Sequence, residues 1–221
     1  MTTLPNNRLK EPFSAVSHFV AALLALGGTI VLLIAAHGRL LDSLALLVYG
    51  LSMVALYMAS AVYHALDVAP KIANRLMRLD HIGIYLLIAG SYTPMCLITM
   101  RGPVGYGILA AEYTLAAVGI ALSICWKTAP DWVRVTMYLA MGWVLAFAIG
   151  PMRAAVPSEG IAWIVAGGLC YTVGCAIFAL DRPHIWPGKF SAHDLWHLFV
   201  IAGSTCMYIP ILKYVALVGV R

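Results

Sequence analysis

Apolar residues along this chain run in long, nearly unbroken blocks separated by short polar stretches. Within the blocks there is neither the two-residue alternation of a half-buried strand nor the narrow apolar stripe of a soluble amphipathic helix. Taken in order, the blocks predict helices over Phe13–Ala36, Leu41–Leu66, His81–Met100, Val104–Cys125, Trp132–Pro151, Ile161–Leu180 and Ala192–Val218. Each is close to the ~20 apolar residues that carry a helix across a bilayer. The expected fold is all-α: a seven-transmembrane helix bundle forming a single domain over residues 1–221, with 1–12 as a short N-terminal segment. Short linkers make successive helices antiparallel neighbours and leave no room for a second domain.

Composition agrees with this pattern. Of the 221 residues, 62% are hydrophobic and 10% charged, against about 25% charged in a soluble domain. A soluble enzyme, a disordered chain and a disulfide-built secreted module are excluded. Outer-membrane barrel strands alternate polar and apolar positions over about 10 residues, which these blocks do not. The first block is too long for a signal-peptide core and no small-residue cleavage site follows it, so it is expected to remain as the first span. The five cysteines, Cys96, Cys125, Cys170, Cys175 and Cys206, all fall inside apolar blocks without a C-x-x-C pair and read as buried packing residues.

The net charge of +5 sits in the linkers, which argues against nucleic acid as a partner and for sidedness in a membrane. Arg8, Lys10, Lys71, Arg75, Arg78, Lys127, Arg134, Arg182 and Lys189 share the N-terminal side, and Arg39, Arg101, Arg153, Lys213 and Arg221 the other. The positive-inside rule then makes the N-terminus cytoplasmic and the C-terminus external, with Trp126, Trp132 and Trp186 as interfacial anchors.

Ionisable groups inside a bilayer cost about 2.5–3.5 kcal/mol each on insertion scales, and here they collect at one depth. His64 ends the second span, Asp80 starts the third, His193 and His197 open the seventh, and His18 lies in the second turn of the first. At i and i+4, His193 and His197 share a helix face about 6 Å apart along the axis. Ser60 and His64 have the same spacing, which points a hydroxyl inward one turn deeper. Singly, each histidine is an ordinary interfacial hydrogen-bonder. Three imidazoles with one position left open form the ligand set of a catalytic zinc, His64, His193 and His197, with Asp80 beside the bound water.

The stretches that carry this set are E-P-F-S-A-V-S-H from Glu11 to His18, S-A-V-Y-H from Ser60 to His64, L-D-H-I-G-I-Y-L-L-I-A-G-S-Y-T-P from Leu79 to Pro94, and H-D-L-W-H from His193 to His197. They resemble the hemolysin III family, the bacterial branch of the progestin and adipoQ receptor family, from the first span to the last. The resemblance implies a bacterial inner-membrane protein with Zn2+ on His64, His193 and His197, Asp80 holding the metal-bound water and Ser60 as the nearby hydroxyl. It also implies kinship with membrane hydrolases such as the alkaline ceramidases. An acyl-chain lipid is then the substrate or ligand, cleaved at an amide or ester, with a role in membrane lipid homeostasis. Without the large N-terminal region of the animal receptors ahead of the first span, a hormone-receptor role is not expected.

Other marked residues have less defined roles. Glu11 and His18 are nearly in line on a helix and are candidates to hydrogen-bond a ligand histidine, although Glu11 before Pro12 also suits a helix cap. His81, about 100° around from Asp80, faces a neighbouring helix or the interface. Glu112 falls near the midplane of the fourth span, where an acid is a functional candidate. Pro94 should kink the third span. Asp194 and Trp196 are expected to face away from the pair beside them, Trp196 as an anchor, and His37 and His184 to lie in loops. Besides a zinc hydrolase, a sensor with structural zinc and a pore-forming cytolysin remain open. A retinal protein does not, since Lys213 lies beyond the midplane of the last span and no mid-membrane acid on the third span faces it.

Overall fold

Proline marks where three of the helices begin. Pro12, Pro70 and Pro103 sit in the first helical turn, where a missing N–H costs nothing and the fixed φ suits a helix. The computed structural model describes residues 9–126, 128–186 and 190–217. It contains seven helices long and apolar enough to cross a membrane: α1 (Pro12–Ala35), α2 (Leu40–Ala65), α3 (Pro70–Thr99), α4 (Pro103–Cys125), α5 (Asp131–Ala155), α6 (Ser158–Leu180) and α7 (Ala192–Ala216).

Most boundaries lie close to those predicted, with one exception. Helix α3 starts at Pro70, well before the expected His81. The added stretch, Pro70 to Leu79, alternates basic and apolar faces at helical spacing, so it is helical without being an apolar block. Asp80 and His81 therefore lie well inside a helix, where their directions are set by its packing. The predicted end of α7 at Val218 lies outside the described residues.

Pro94 does perturb α3: the five residues after it, Met95–Thr99, wind as a π-helical turn. Pro210 does the same in α7, where Ile211–Ala216 is π-helical. Proline cannot donate to the carbonyl four residues back, and a wider turn absorbs the mismatch. In α5, Val144–Ala148 tightens to a 3-10 turn. Tyr92 bridges to that tightening, its hydroxyl lying 2.9 Å from the Met141 carbonyl and accepting from the Leu145 amide at 3.0 Å.

Helices α2 and α3 form the inner scaffold, with 56% of an 18-residue apolar stretch buried in each, against 17% for α4 and 22% for α6. Close approach depends on small residues. A Cβ on Gly50 would stand 2.3 Å from Thr29 Oγ1 of α1, and one on Gly83 of α3 2.9 Å from the Leu56 Cα. Between membrane helices, which gain little hydrophobic energy from meeting, such contacts supply the packing. Helix α1 also packs against α7, closing the bundle around α2. His37 turns the chain between α1 and α2 at positive φ, and His184 lies in the α6–α7 connection, both in loops as expected. All five cysteines are unbridged; Cys96 and Cys175 are buried, but Cys125 is exposed and Cys170 and Cys206 half-buried. Their apolar sequence context reflected lipid-facing surface as well as core.

Candidate metal centre

Two short backbone segments decide where the polar end of the bundle closes. The chain entering α1 runs beside the end of α2: the Lys10 amide donates to the Ala65 carbonyl at 3.2 Å and the Glu11 amide to the His64 carbonyl at 2.9 Å. These bonds satisfy carbonyls that a helix C-terminus leaves unpaired, and they bring the Glu11 side chain to the His64 ring. Helix α7 starts at a capping box, in which Ser191 Oγ accepts from the Asp194 amide at 3.1 Å and the Asp194 carboxylate accepts from the Ser191 amide at 2.9 Å. The same carboxylate accepts from Ser14 Oγ of α1 at 2.7 Å. Helix α1 is thus tied to both helices that carry the histidines.

Three imidazoles converge between those ties. His64 Nε2 is 3.4 Å from His193 Nε2, and His193 Nε2 is 3.1 Å from His197 Nε2. One ring nitrogen of each lies within 4.8 Å of the others. Zinc–imidazole bonds of about 2.0–2.1 Å give a tetrahedral edge of roughly 3.3–3.4 Å, so two measured separations suit ligands of one ion. The donor chemistry suits it too. Glu11 Oε2 lies 2.5 Å from His64 Nδ1, which keeps the proton on Nδ1 and turns the Nε2 lone pair toward the other rings. Imidazole nitrogens this close repel unless a proton or a cation lies between them, and the group could hold a metal ion.

Charge and burial reinforce the arrangement. The hydrogen bond to His64, against the opposing effect of partial burial and with help from the Lys10 ammonium 3.2 Å away, holds the Glu11 carboxyl down at about 2. His64 and His197 are 1% and 2% exposed. Asp80 Oδ2 lies 4.0 Å from His64 Nε2, and Ser60 is buried one turn deeper on α2. Ser60, Asp80, His193 and His197 line one cavity of about 530 Å³, together with His81 and Arg134. Leu56, Ile84, Tyr138, Trp196 and Val200 belong both to this cavity and to an apolar one of about 700 Å³ that continues past Ile88 and Tyr171.

The remaining sequence candidates separate clearly. Glu11 occupies the N-cap position of α1 but makes no side-chain cap there; its carboxylate goes to His64. His18 makes no hydrogen bond to a ligand histidine. It stacks on His197 with ring centroids 3.8 Å apart and meets Tyr57 edge-on at 5.0 Å. His81 turns toward α5, where its carbonyl accepts from Tyr138 Oη at 3.3 Å. Glu112 is fully buried in α4, remote in sequence from the cluster, and neither carboxylate oxygen has a hydrogen-bond partner among the described residues.

Asp194 points away from the histidine pair, as expected, and has a defined role there: it caps α7 and binds Ser14. One expectation is corrected. Trp196 is not an interfacial anchor but a buried residue, 9% exposed, packed on Phe178 and over Gly174, because the absent Cβ there leaves α6 a slot for the indole. Ser14 and Ser191 went unrecognised. The S-x-x-D spacing of Ser191 and Asp194 is a cap signature that was available in the sequence, whereas nothing local marks Ser14 as the partner of a residue 180 positions away.

A family model described as Haemolysin-III related matches residues 6–208. The chain belongs to that family. It is 37% identical to Hemolysin-3 of Bacillus cereus over 217 residues, covering 97% of this chain and 96% of that protein. With the Hemolysin-3 homolog of Bacillus subtilis (strain 168) it shares 31% identity over 207 residues, 93% and 94% of the two chains. The Monocyte to macrophage differentiation factor of Homo sapiens is 28% identical over 171 residues, 76% of this chain and 68% of that one. With the seven apolar helices, these likenesses make it a multi-pass membrane protein of the hemolysin III and progestin and adipoQ receptor type.

Proposed function

We propose that this protein is a zinc-dependent hydrolase of a membrane lipid amide or ester, acting in membrane lipid homeostasis. The observation that carries the reading is the convergence of one nitrogen each from His64, His193 and His197 within 4.8 Å. A zinc ion held by those three nitrogens would supply a Lewis acid and an acidic water. Asp80, whose Oδ2 lies 4.0 Å from His64 Nε2, would serve as the general base and acid of the hydrolysis, and Ser60 Oγ would orient the polar group being cleaved. Glu11 Oε2 holds the Nδ1–H of His64 and so fixes which ring nitrogen faces the centre. The apolar lining from Leu56 and Ile84 onward takes up the acyl chain and excludes bulk water. The charge distribution across the linkers supports a bacterial inner-membrane location with the N-terminus in the cytoplasm.

Elemental analysis of the purified protein should find stoichiometric zinc, and turnover of a ceramide-like lipid should vanish in Asp80→Asn while zinc stays bound. A zinc-free wild-type protein, or unchanged turnover in that variant, would overturn the reading. One observation favours a second. The ties from Glu11 and Ser14 make the same cluster a clasp joining α1, α2 and α7, as a non-enzymatic sensor with structural zinc would need, and the likeness to the human differentiation factor is in keeping with signalling. On that reading Asp80→Asn abolishes no turnover, because there is none. Measured conductance in reconstituted bilayers would instead favour a pore.

A further inference from the structure

Half of the cations in the described residues have an acid. Lys10, Arg39, Arg101, Arg134 and Lys213 each lie no farther than 3.4 Å from a carboxylate oxygen. Lys71, Arg75 and Arg78 have none among the described residues. Arg153 and Arg182 also lack one, but neither has a second unpaired cation beside it among the described residues.

The three are together on one helix. At positions i, i+4 and i+7 of α3 they fall within about 60° of arc and about 10 Å of axial rise. Lys71 and Arg75 are exposed and Arg78 half-buried. Asp80 lies about 180° away, and Leu76 and Met77 share its side, so the basic stripe turns its back on the bundle and on the histidine cluster. Helix α3 is 30 residues long, about 45 Å, whereas the hydrocarbon layer is about 30 Å thick. Its first turns therefore extend into the headgroup layer, with exposed Ile72 and Leu79 beside the stripe. No acid lies in the first turn of α3, although that end of a helix dipole favours negative charge. Asp67, in the preceding linker, forms no ion pair among the described residues.

We propose that this face of α3 binds the phosphate headgroups of anionic phospholipids in the leaflet that borders the histidine cluster. Two guanidiniums and an ammonium supply forked and point-charge donors for phosphate oxygens. Exposed Ile72 and Leu79 reach the upper acyl region beside them. A soluble polyanion would not need the stripe at a bilayer boundary. The binding is independent of hydrolysis, because the reacting groups are on the opposite face.

Native mass spectrometry of the full-length protein in detergent, titrated with phosphatidylglycerol and with phosphatidylcholine of matched chains, tests it. The wild type should retain phosphatidylglycerol at least tenfold more tightly. At about a fivefold effect per cation near an anionic surface, Lys71→Gln/Arg75→Gln/Arg78→Gln should lose about a hundredfold of that affinity and Arg75→Gln alone about fivefold. Arg182→Gln should lose nothing. Metal content measured in parallel reports whether each variant is folded, and Arg75→Gln, at an exposed position, carries the test if the triple variant is not. Equal retention of the two lipids by the wild type, or undiminished preference in Arg75→Gln and the folded triple variant, overturns the proposal. So does displacement of the lipid by millimolar inorganic phosphate, which would make free phosphate the ligand.

Discussion

The bundle buries a polar cluster at each end, and the two differ in how their hydrogen bonds close. At the end away from the histidines, Asp42 of α2 accepts from Arg39 Nε and Arg101 Nη2, both at 2.6 Å, and Arg39 Nη2 donates to the Ala216 carbonyl at 2.8 Å. Both Asp42 oxygens are paired with a guanidinium, and three separate segments are pinned together. At the other end His64, His193 and His197 turn one ring nitrogen each toward one another, with the Asp80 carboxyl nearby. Among the described residues no cation closes that set as Arg39 and Arg101 close on Asp42. A closed cluster is what a fold needs for its own stability; converging imidazole nitrogens have an electrostatic cost that a proton or a bound cation between them removes.

Breaking each cluster should therefore give different signatures. The largest effect is expected from His193→Ala, which removes the ring common to both short nitrogen–nitrogen separations: zinc content of the purified protein should fall from stoichiometric to near background. Full occupancy in that variant would erase the distinction between the two ends. Next comes Glu11→Gln, which weakens the partner of His64 Nδ1. Loss of such a partner typically costs 10–100-fold in metal affinity, measurable by competition with a chelator, and an unchanged affinity would reduce Glu11 to a surface residue.

Asp42→Asn tests the closed cluster. It should lower stability by about 1–2 kcal/mol, below the 3–5 kcal/mol of a fully buried pair, because Arg101 is 56% exposed and can be hydrated. Thermal unfolding in detergent should show the shift with zinc retained; loss of zinc would mean that the two ends are coupled. Ser14→Ala should cost about 0.5–1 kcal/mol, since Asp194 keeps its bonds to Ser191, and a drop of several kcal/mol would make the α1–α7 tie the dominant contact.

Glu112 sharpens the contrast by fitting neither pattern, being buried with no partner and no converging acceptors. Replacing an unsatisfied buried polar group by an apolar one of similar size is near neutral or stabilising. Glu112→Leu should thus change stability by less than about 1 kcal/mol and leave zinc untouched, and a clear loss of metal or fold would show that the acid has a partner role.

Lipid imposes its requirement on every spanning segment separately, so the seven helices could be read from local apolarity, and the shared depth of His64, Asp80, His193 and His197 followed from counting residues along them. Helical spacing likewise put His193 and His197 on one face. Which faces meet is not a local property. The early start of α3, which fixes where Asp80 points, lay hidden in a stretch too charged to register as a span. Whether Glu11 caps its own helix or reaches His64 was settled by backbone bonds between the start of α1 and the end of α2. Ser14 finds Asp194, and Trp196 sinks over Gly174, only because helices distant in sequence pack side by side. Periodicity reports the environment each segment needs, while the pairing of side chains depends on the rotation and approach of neighbouring helices, which the packing of the whole bundle sets.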